Sequence, residues 1–80
     1  MSETKDKADS PKVVVGQTWR AKRPVMRGRD ENGPIYNDRT VLWTNGFDVQ
    51  YDGPAVKLGV RYPQVSMAKF LRWASHVVTT

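Results

Sequence analysis

The stretch RTVLWTNGFDVQYDG, residues 39–53, decides the fold, because it sets two β-rich runs on either side of Asn45-Gly46. An Asn-Gly pair between runs of β-branched and aromatic residues is a strong signal for a β-hairpin. The asparagine and glycine tolerate the left-handed backbone that a tight turn requires. We therefore predict a hairpin here, with Gly46 in the left-handed conformation.

The loop length of this hairpin determines which side chains reach the core. A two-residue loop pairs Thr44 with Phe47 and divides the apolar residues between the two faces. A three-residue loop pairs Trp43 with Phe47 and Val41 with Val49, so that one face is almost wholly apolar. Since a slip of one residue flips every side chain, the apolar count favours the three-residue loop. This register predicts that Trp43 and Phe47 are core residues.

Strand signals continue on both sides of the hairpin. Residues 13–21, VVVGQTWRA, are rich in strand formers and place their apolar side chains at a period of two. Residues 56–62 alternate in the same way and predict another strand. Ser66 is a suitable N-cap for a short helical turn from 67 to 73, and residues 75–80 return to strand-like composition.

Residues 22–38, KRPVMRGRDENGPIYND, are different in composition. Pro24 and Pro34 argue against a central strand, and Asn32-Gly33 before the second proline is a turn signal. We predict a long loop with little local order. A loop of this length in a small domain is usually functional or mobile.

These elements predict a mainly β fold with about five short strands. Closing the sheet into a small barrel is economical because it removes exposed edges. The element order resembles an SH3-like barrel, with its long first loop and its short helical turn before the last strand. Residues 16–19 and 65–73 also resemble short uncharacterised phage and prophage proteins. The alternatives are an OB-like barrel or a twisted antiparallel sheet with one packed helix.

The domain organisation is simple, since 80 residues have room for one small domain. Residues 1–12 carry no large apolar side chain beyond Met1, so we predict a disordered tail followed by a domain at residues 13–80. No apolar run approaches the length of a membrane helix, and no secretory signal is recognisable. We expect a cytoplasmic protein, in a bacterial host if it derives from a phage.

The chemistry-bearing residues argue against an enzyme. The chain has no cysteine and a single histidine, His76, which excludes thiolate and multi-histidine metal sites. It has no glycine-rich phosphate loop and no nucleophile beside a conventional base. His76 is expected to be a surface or partly packed strand residue. We therefore expect no catalytic residues, no metal and no cofactor.

The positive signal is the concentration of basic residues. The formal net charge is +5, and the charges of residues 1–12 cancel, so the whole excess falls on residues 13–80. Arginines can bind phosphate oxygens in pairs, and exposed rings beside them can stack on bases. We therefore predict a DNA- or RNA-binding module, with an interaction module that docks on an acidic host protein, such as a phage-encoded regulator, as the alternative. The candidate binding residues are Arg20, Lys22, Arg23, Arg27, Arg29, Tyr36, Arg39, Lys57, Arg61 and Tyr62.

Overall fold

The computed structural model describes residues 12–78. The predicted disordered tail therefore lies, except for Lys12, outside the described residues, and so do Thr79 and Thr80. Within residues 12–78, seven strands and one helix follow one another: β1 (Thr18–Ala21), β2 (Met26–Asp30), β3 (Gly33–Tyr36), β4 (Arg39–Thr44), β5 (Asp48–Asp52), β6 (Gln64–Ser66), α1 (Met67–Trp73) and β7 (Ala74–Val77).

The strands form two separate sheets. Five of them pair in the order β6-β5-β4-β1-β7, and every pairing in this sheet is antiparallel. The prediction of a mainly β fold is confirmed. The predicted closure into a barrel is not confirmed, because among the described strands β6 and β7 remain the two edges of the sheet. The architecture is that of an antiparallel sheet with one helix packed on it.

The second sheet is a hairpin of β2 and β3, and it corrects the prediction that residues 22–38 form a loop of weak order. Asp30 pairs with Gly33, and the carboxylate of Asp30 accepts a hydrogen bond from the amide of Asn32 at 2.8 Å. Gly33 completes the turn with a φ of +118°. Pro34 is compatible with this hairpin because both strands of a two-stranded sheet are edge strands, and an edge strand tolerates a proline where its nitrogen faces away from the partner strand.

The central hairpin forms as predicted, but its predicted register is wrong. Val41 pairs with Tyr51, whereas Trp43 pairs with Gln50, so that Leu42 is an extra residue in β4. Such a β-bulge turns the following side chains to the opposite face. Trp43 is therefore 42% exposed instead of buried in the core.

The tip of this hairpin is held by hydrogen bonds to the side chain of Asn45. The Oδ1 atom of Asn45 accepts hydrogen bonds from the amides of Phe47 and Asp48, at 2.9 and 2.8 Å. Gly46 has a φ of +90°, which confirms its predicted left-handed conformation. Phe47 extends into solvent and is 79% exposed, so its predicted place in the core is also wrong.

Residues 53–63 correct a further prediction, since they form turns and not a strand. The amide of Val56 donates to the carbonyl of Gly53 at 3.0 Å, and Gly59 has a φ of +82°. These turns break the alternation that the apolar residues appeared to follow. Leu58 is fully exposed, and the strand that pairs with β5 begins only at Gln64, after Pro63.

The first predicted strand is shorter than its sequence pattern. β1 begins at Thr18, and within it Trp19 and Ala21 face the core as their spacing predicted. The three preceding valines lie outside the strand. Gly16, with a φ of +97°, turns the chain so that its amide donates to the carbonyl of Val41 at 2.9 Å.

The helix and the last strand form close to where the sequence predicted them. The hydroxyl of Ser66 accepts a hydrogen bond from the amide of Lys69 at 3.1 Å and caps α1. Phe70 is fully buried at the centre of the core. Its ring lies 6.0 Å from Trp19, 6.4 Å from Tyr51 and 5.5 Å from Trp73, centroid to centroid. The core is thus an aromatic cluster between the sheet and the helix.

Candidate functional site

Arg39 is partly buried at the start of β4 and stacks on two aromatic rings. It begins β4 opposite Trp19, so its side chain points toward the inner face of the sheet. Its Cζ atom lies 4.3 Å from the ring centroid of Tyr51 and 4.1 Å from that of Trp73. The guanidinium therefore rests on two aromatic faces, a geometry that fixes a cation without engaging its N–H groups.

The partly buried position of Arg39 affects the pKa of its guanidinium. Burial lowers the pKa of the guanidinium from its ordinary value, and the nearby Tyr51 opposes that effect only partly. The group stays charged at neutral pH because arginine ionises far above neutrality. Across residues 12–78, no hydrogen-bond acceptor or carboxylate partners the guanidinium. Its donors are therefore available to a ligand.

A cavity of about 330 Å³ opens beside Arg39, between the start of β4 and the loop at residues 53–63. Its floor and walls include apolar groups of Tyr51, Val56, Val60 and Pro63. Two exposed cations of the loop belong to the same lining. We call it the Lys57 cavity, and it is lined by Asn37, Asp38, Arg39, Tyr51, Gly53, Ala55, Val56, Lys57, Val60, Arg61 and Pro63.

A second cavity lies on the other side of Asn37. It has a volume of about 410 Å³, and we call it the Arg72 cavity. The last turn of α1 supplies one wall, and the chain that leaves β1 supplies the other. It is lined by Ala21, Lys22, Arg23, Asn37, Arg72 and Trp73.

Hydrogen bonds of Asn37 and Lys22 connect the chain segments that line the two cavities. Asn37 clamps the base of the β2–β3 hairpin: its amide donates to the carbonyl of Val25, and its Oδ1 accepts from the amide of Val25, both at 2.9 Å. The amide of Lys22 donates to the carbonyl of Trp73 at 2.9 Å. Because Asn37 lines both cavities and Trp73 lines one while stacking on Arg39, the cavities adjoin.

The charged side chains that line these cavities are predominantly positive. Six basic side chains line them, namely Lys22, Arg23, Arg39, Lys57, Arg61 and Arg72. The single acidic residue in the two linings is Asp38, whose carboxylate is already bound by Arg20 through two hydrogen bonds of 3.1 Å. An anion in the Lys57 cavity therefore meets three cations and one carboxylate that is already paired, whereas an anion in the Arg72 cavity meets three cations.

The predicted binding residues separate into four groups. Arg39, Lys57 and Arg61 meet at the Lys57 cavity, and Lys22 and Arg23 at the Arg72 cavity. Arg20 and Tyr36 contact each other, with 4.5 Å from Cζ to the ring centroid, but Arg20 is engaged by Asp38, and this hydrogen bond raises its pKa. The remaining residues are exposed and line neither cavity: Arg27, Arg29 and Tyr62.

Sequence reasoning missed several residues of the site. Arg72 was the one basic residue in the last helical turn, a position that a cation commonly occupies, but nothing local linked it to residues 22–23. Asn37, Tyr51 and Trp73 were missed because their roles depend on long-range contacts. His76 lies on the exposed part of β7, where its Nδ1 is 3.0 Å from the hydroxyl of Ser75, as expected for a surface strand histidine.

Two further findings limit the chemistry of the described residues. In the part of the chain from 12 to 78, no three histidine, cysteine, aspartate or glutamate side chains come close enough to hold a metal ion. None of the helices within that range is both long and apolar enough to cross a membrane.

Comparison with known proteins does not assign the chain to a family. No protein-family model matches it, and no curated protein or solved structure is significantly similar to it.

Proposed function

We propose that the protein is a small non-enzymatic module that binds nucleic acid through its phosphate backbone. The observation that carries this proposal is the set of six basic side chains around two adjoining cavities. A polyanion can contact both cavities at once, whereas a single small anion needs only one. Contacts to phosphate carry no sequence information, so we propose binding that is largely independent of sequence.

Arg39 supports this proposal through its preorganisation. A long side chain normally loses conformational freedom when it binds a ligand, and this loss reduces affinity. The stacking of Arg39 on Tyr51 and Trp73 restricts that freedom before any ligand arrives. The guanidinium also presents a planar set of donors that matches two phosphate oxygens.

The proposal also includes a more specific assignment of the fold. We propose that the five-stranded sheet is a variant of the SH3-like architecture. In support, the β2–β3 hairpin lies where that fold has its long first loop, and α1 precedes the last strand. Small β domains of this kind expose loops at one end of the sheet. In this protein, the base of the β2–β3 hairpin and residues 53–63 surround the Lys57 cavity.

The second candidate function is a protein-interaction module, such as a phage-encoded regulator acting in the bacterial cytoplasm. The observation that favours it is the exposure of Leu42, Trp43 and Phe47 near the turn between β4 and β5. Aromatic side chains are enriched at protein interfaces, where they anchor the contact. On this alternative, an acidic partner would contact the basic cavities as well.

A binding experiment at two salt concentrations tests the first proposal. Fluorescence anisotropy would follow a labelled mixed-sequence oligonucleotide, as a duplex and as a single strand, at about 50 and 200 mM salt. If all six cations contact phosphates, the logarithm of the duplex association constant falls against the logarithm of salt with a slope of roughly −5. Two double variants, K57A/R61A and K22A/R23A, would each reduce that slope by about 2.

A charge-matched control separates the cavities from net charge. The variant K12A/K69A also removes two exposed cations, and neither lysine lines a cavity. The proposal predicts that this control changes the slope much less than either cavity variant does. Equal effects of all three variants, or no binding at about 50 mM salt, would contradict it. Equally tight binding of poly-L-glutamate would favour the acidic-partner alternative.

A further inference from the structure

The Lys57 cavity combines two features that a purely electrostatic surface does not need. Its interior includes the apolar side chains of Val56, Val60 and Pro63, while Arg39, Lys57 and Arg61 supply positive charge from its lining. A phosphate group alone would gain nothing from the apolar part. A ligand that has both a phosphate and a flat, weakly hydrated body would contact both parts at once.

We propose that this cavity holds one nucleotide of a single strand, with the base against the apolar wall and its phosphate on the cations. This inference rests on the proposed function and makes it more specific, because it predicts a preference for single-stranded over duplex nucleic acid. The bases of a duplex are stacked and paired, so none can enter a cavity without first being turned out of the helix.

The volume of the cavity agrees with one nucleotide. A volume of about 330 Å³ lies at the lower end of the range for small-molecule sites. The second cavity adjoins it through Asn37 and is lined by Lys22, Arg23 and Arg72. The neighbouring phosphates of the strand can therefore continue from the Lys57 cavity into the Arg72 cavity without meeting an unpaired carboxylate.

The contacts of Arg39 indicate how the nucleotide would be oriented. Its guanidinium rests against the rings of Tyr51 and Trp73, and no acceptor among residues 12–78 takes its N–H groups. Those donors suit a phosphate oxygen or a base carbonyl. Tyr51 is only 8% exposed, so the base contacts Val60, which is 55% exposed, more than it contacts the tyrosine ring.

A matched pair of substitutions in one loop tests the proposal. Val60→Ser removes an apolar group from the cavity wall, while Leu58→Ser removes one from a fully exposed position outside the cavity. Binding would be measured with labelled oligothymidylate of about 15 nucleotides and with a hairpin duplex that carries the same number of phosphates. We expect Val60→Ser to weaken oligothymidylate binding by about threefold to tenfold and to leave duplex binding unchanged.

A mononucleotide gives an independent measurement. Thymidine 5′-monophosphate should shift the amide resonances of residues 56–61 in a heteronuclear NMR spectrum of the full chain, with inorganic phosphate as the reference. The proposal predicts larger shifts with the nucleotide than with phosphate at equal concentration. Leu58→Ser should change none of these results, and the thermal midpoints of both variants should equal that of the unsubstituted protein.

The outcomes distinguish a failure of this inference from a failure of the proposed function. If oligothymidylate and the duplex bind equally, and Val60→Ser affects neither, the nucleotide cavity is overturned while nucleic-acid binding stands. If mononucleotide and phosphate give the same shifts, the apolar wall plays no part and the inference is likewise overturned. If neither polymer binds at about 50 mM salt, the proposed function fails and this inference fails with it.

Discussion

The guanidinium of Arg39 lies against the indole ring of Trp73, with Cζ 4.1 Å from the ring centroid. This contact joins the start of β4 to the end of α1. It also joins the two cavities, because Arg39 lines one and Trp73 lines the other. The same pair of residues therefore connects the aromatic core, through the contact of Trp73 with Phe70, to the basic surface.

Replacing Arg39 should affect both stability and binding. Arg39→Ala removes two cation–ring contacts, each of which contributes about 0.5–2 kcal/mol, so we expect the free energy of unfolding to fall by about 1–2 kcal/mol. Arg39→Lys keeps the charge but loses the planar stack, and its effect should be smaller. Urea denaturation measures the free energy of unfolding of both variants. Arg72→Ala, at an exposed position, is the control, and an equal loss there would contradict the importance of the stack.

The register of the central hairpin predicts a contrast between two aromatic residues. Trp43→Ala should reduce the free energy of unfolding by only about 1 kcal/mol, because the indole is 42% exposed. Phe70→Ala, at a fully buried position, should reduce it by about 3–5 kcal/mol. Phe70→Leu keeps the measurement possible if the alanine variant does not fold. A loss at Trp43 as large as that at Phe70 would restore the register that places Trp43 in the core.

Two glycines that differ in their surroundings give a further prediction. A Cβ atom at Gly53 would overlap the backbone carbonyl oxygen of Asp38, whereas one at Gly28 would meet open space. Gly53→Ala should therefore destabilise the domain by about 1–3 kcal/mol, since the backbone has to move. Gly28→Ala should be neutral or slightly stabilising. Thermal denaturation compares the two, and equal midpoints would show that the chain at Gly53 does not approach Asp38 so closely.

The ion pair of Arg20 with Asp38 predicts opposite effects on stability and on binding. Asp38→Asn breaks the pair, and because ion pairs near the protein surface contribute little, stability should fall by about 1 kcal/mol or less. The same change removes the single carboxylate from the cavity linings and releases Arg20, so oligonucleotide binding should tighten. Asp48→Asn changes the net charge equally and lines neither cavity. Anisotropy titrations that show equal tightening in both variants would indicate an effect of net charge alone.

The predictions from the sequence were most accurate for features that depend on residues close by in the chain. The cap at Ser66, the helix from Met67 to Trp73 and the inward direction of Trp19 depend on neighbours a few residues away, and all three are confirmed. A turn signal also located the central hairpin. Its register could not be predicted, because counting apolar residues on each face assumes a regular strand, whereas Leu42 is an extra residue in β4.

The remaining errors have a similar origin. Proline made residues 22–38 look like a loop, but Pro34 is acceptable in a two-stranded sheet. The alternation at residues 56–62 looked like a strand, but Gly53 and Gly59 accommodate turns there. The basic residues of the candidate site were visible in the sequence, whereas the rings beneath Arg39 and the nearby Arg72 were not, because they come from separate parts of the chain.

One measurement tests the central claim most directly, namely that the two cavities form a nucleic-acid-binding surface. A heteronuclear NMR titration of the labelled protein with a mixed-sequence oligonucleotide should be recorded at about 50 and 200 mM salt. The account predicts saturable shifts at residues 22–23, 37–39, 57–61 and 72–73, and weaker binding at the higher salt concentration. No shifts at low salt, or shifts confined to residues 42–47 around the exposed Trp43 and Phe47, would contradict it.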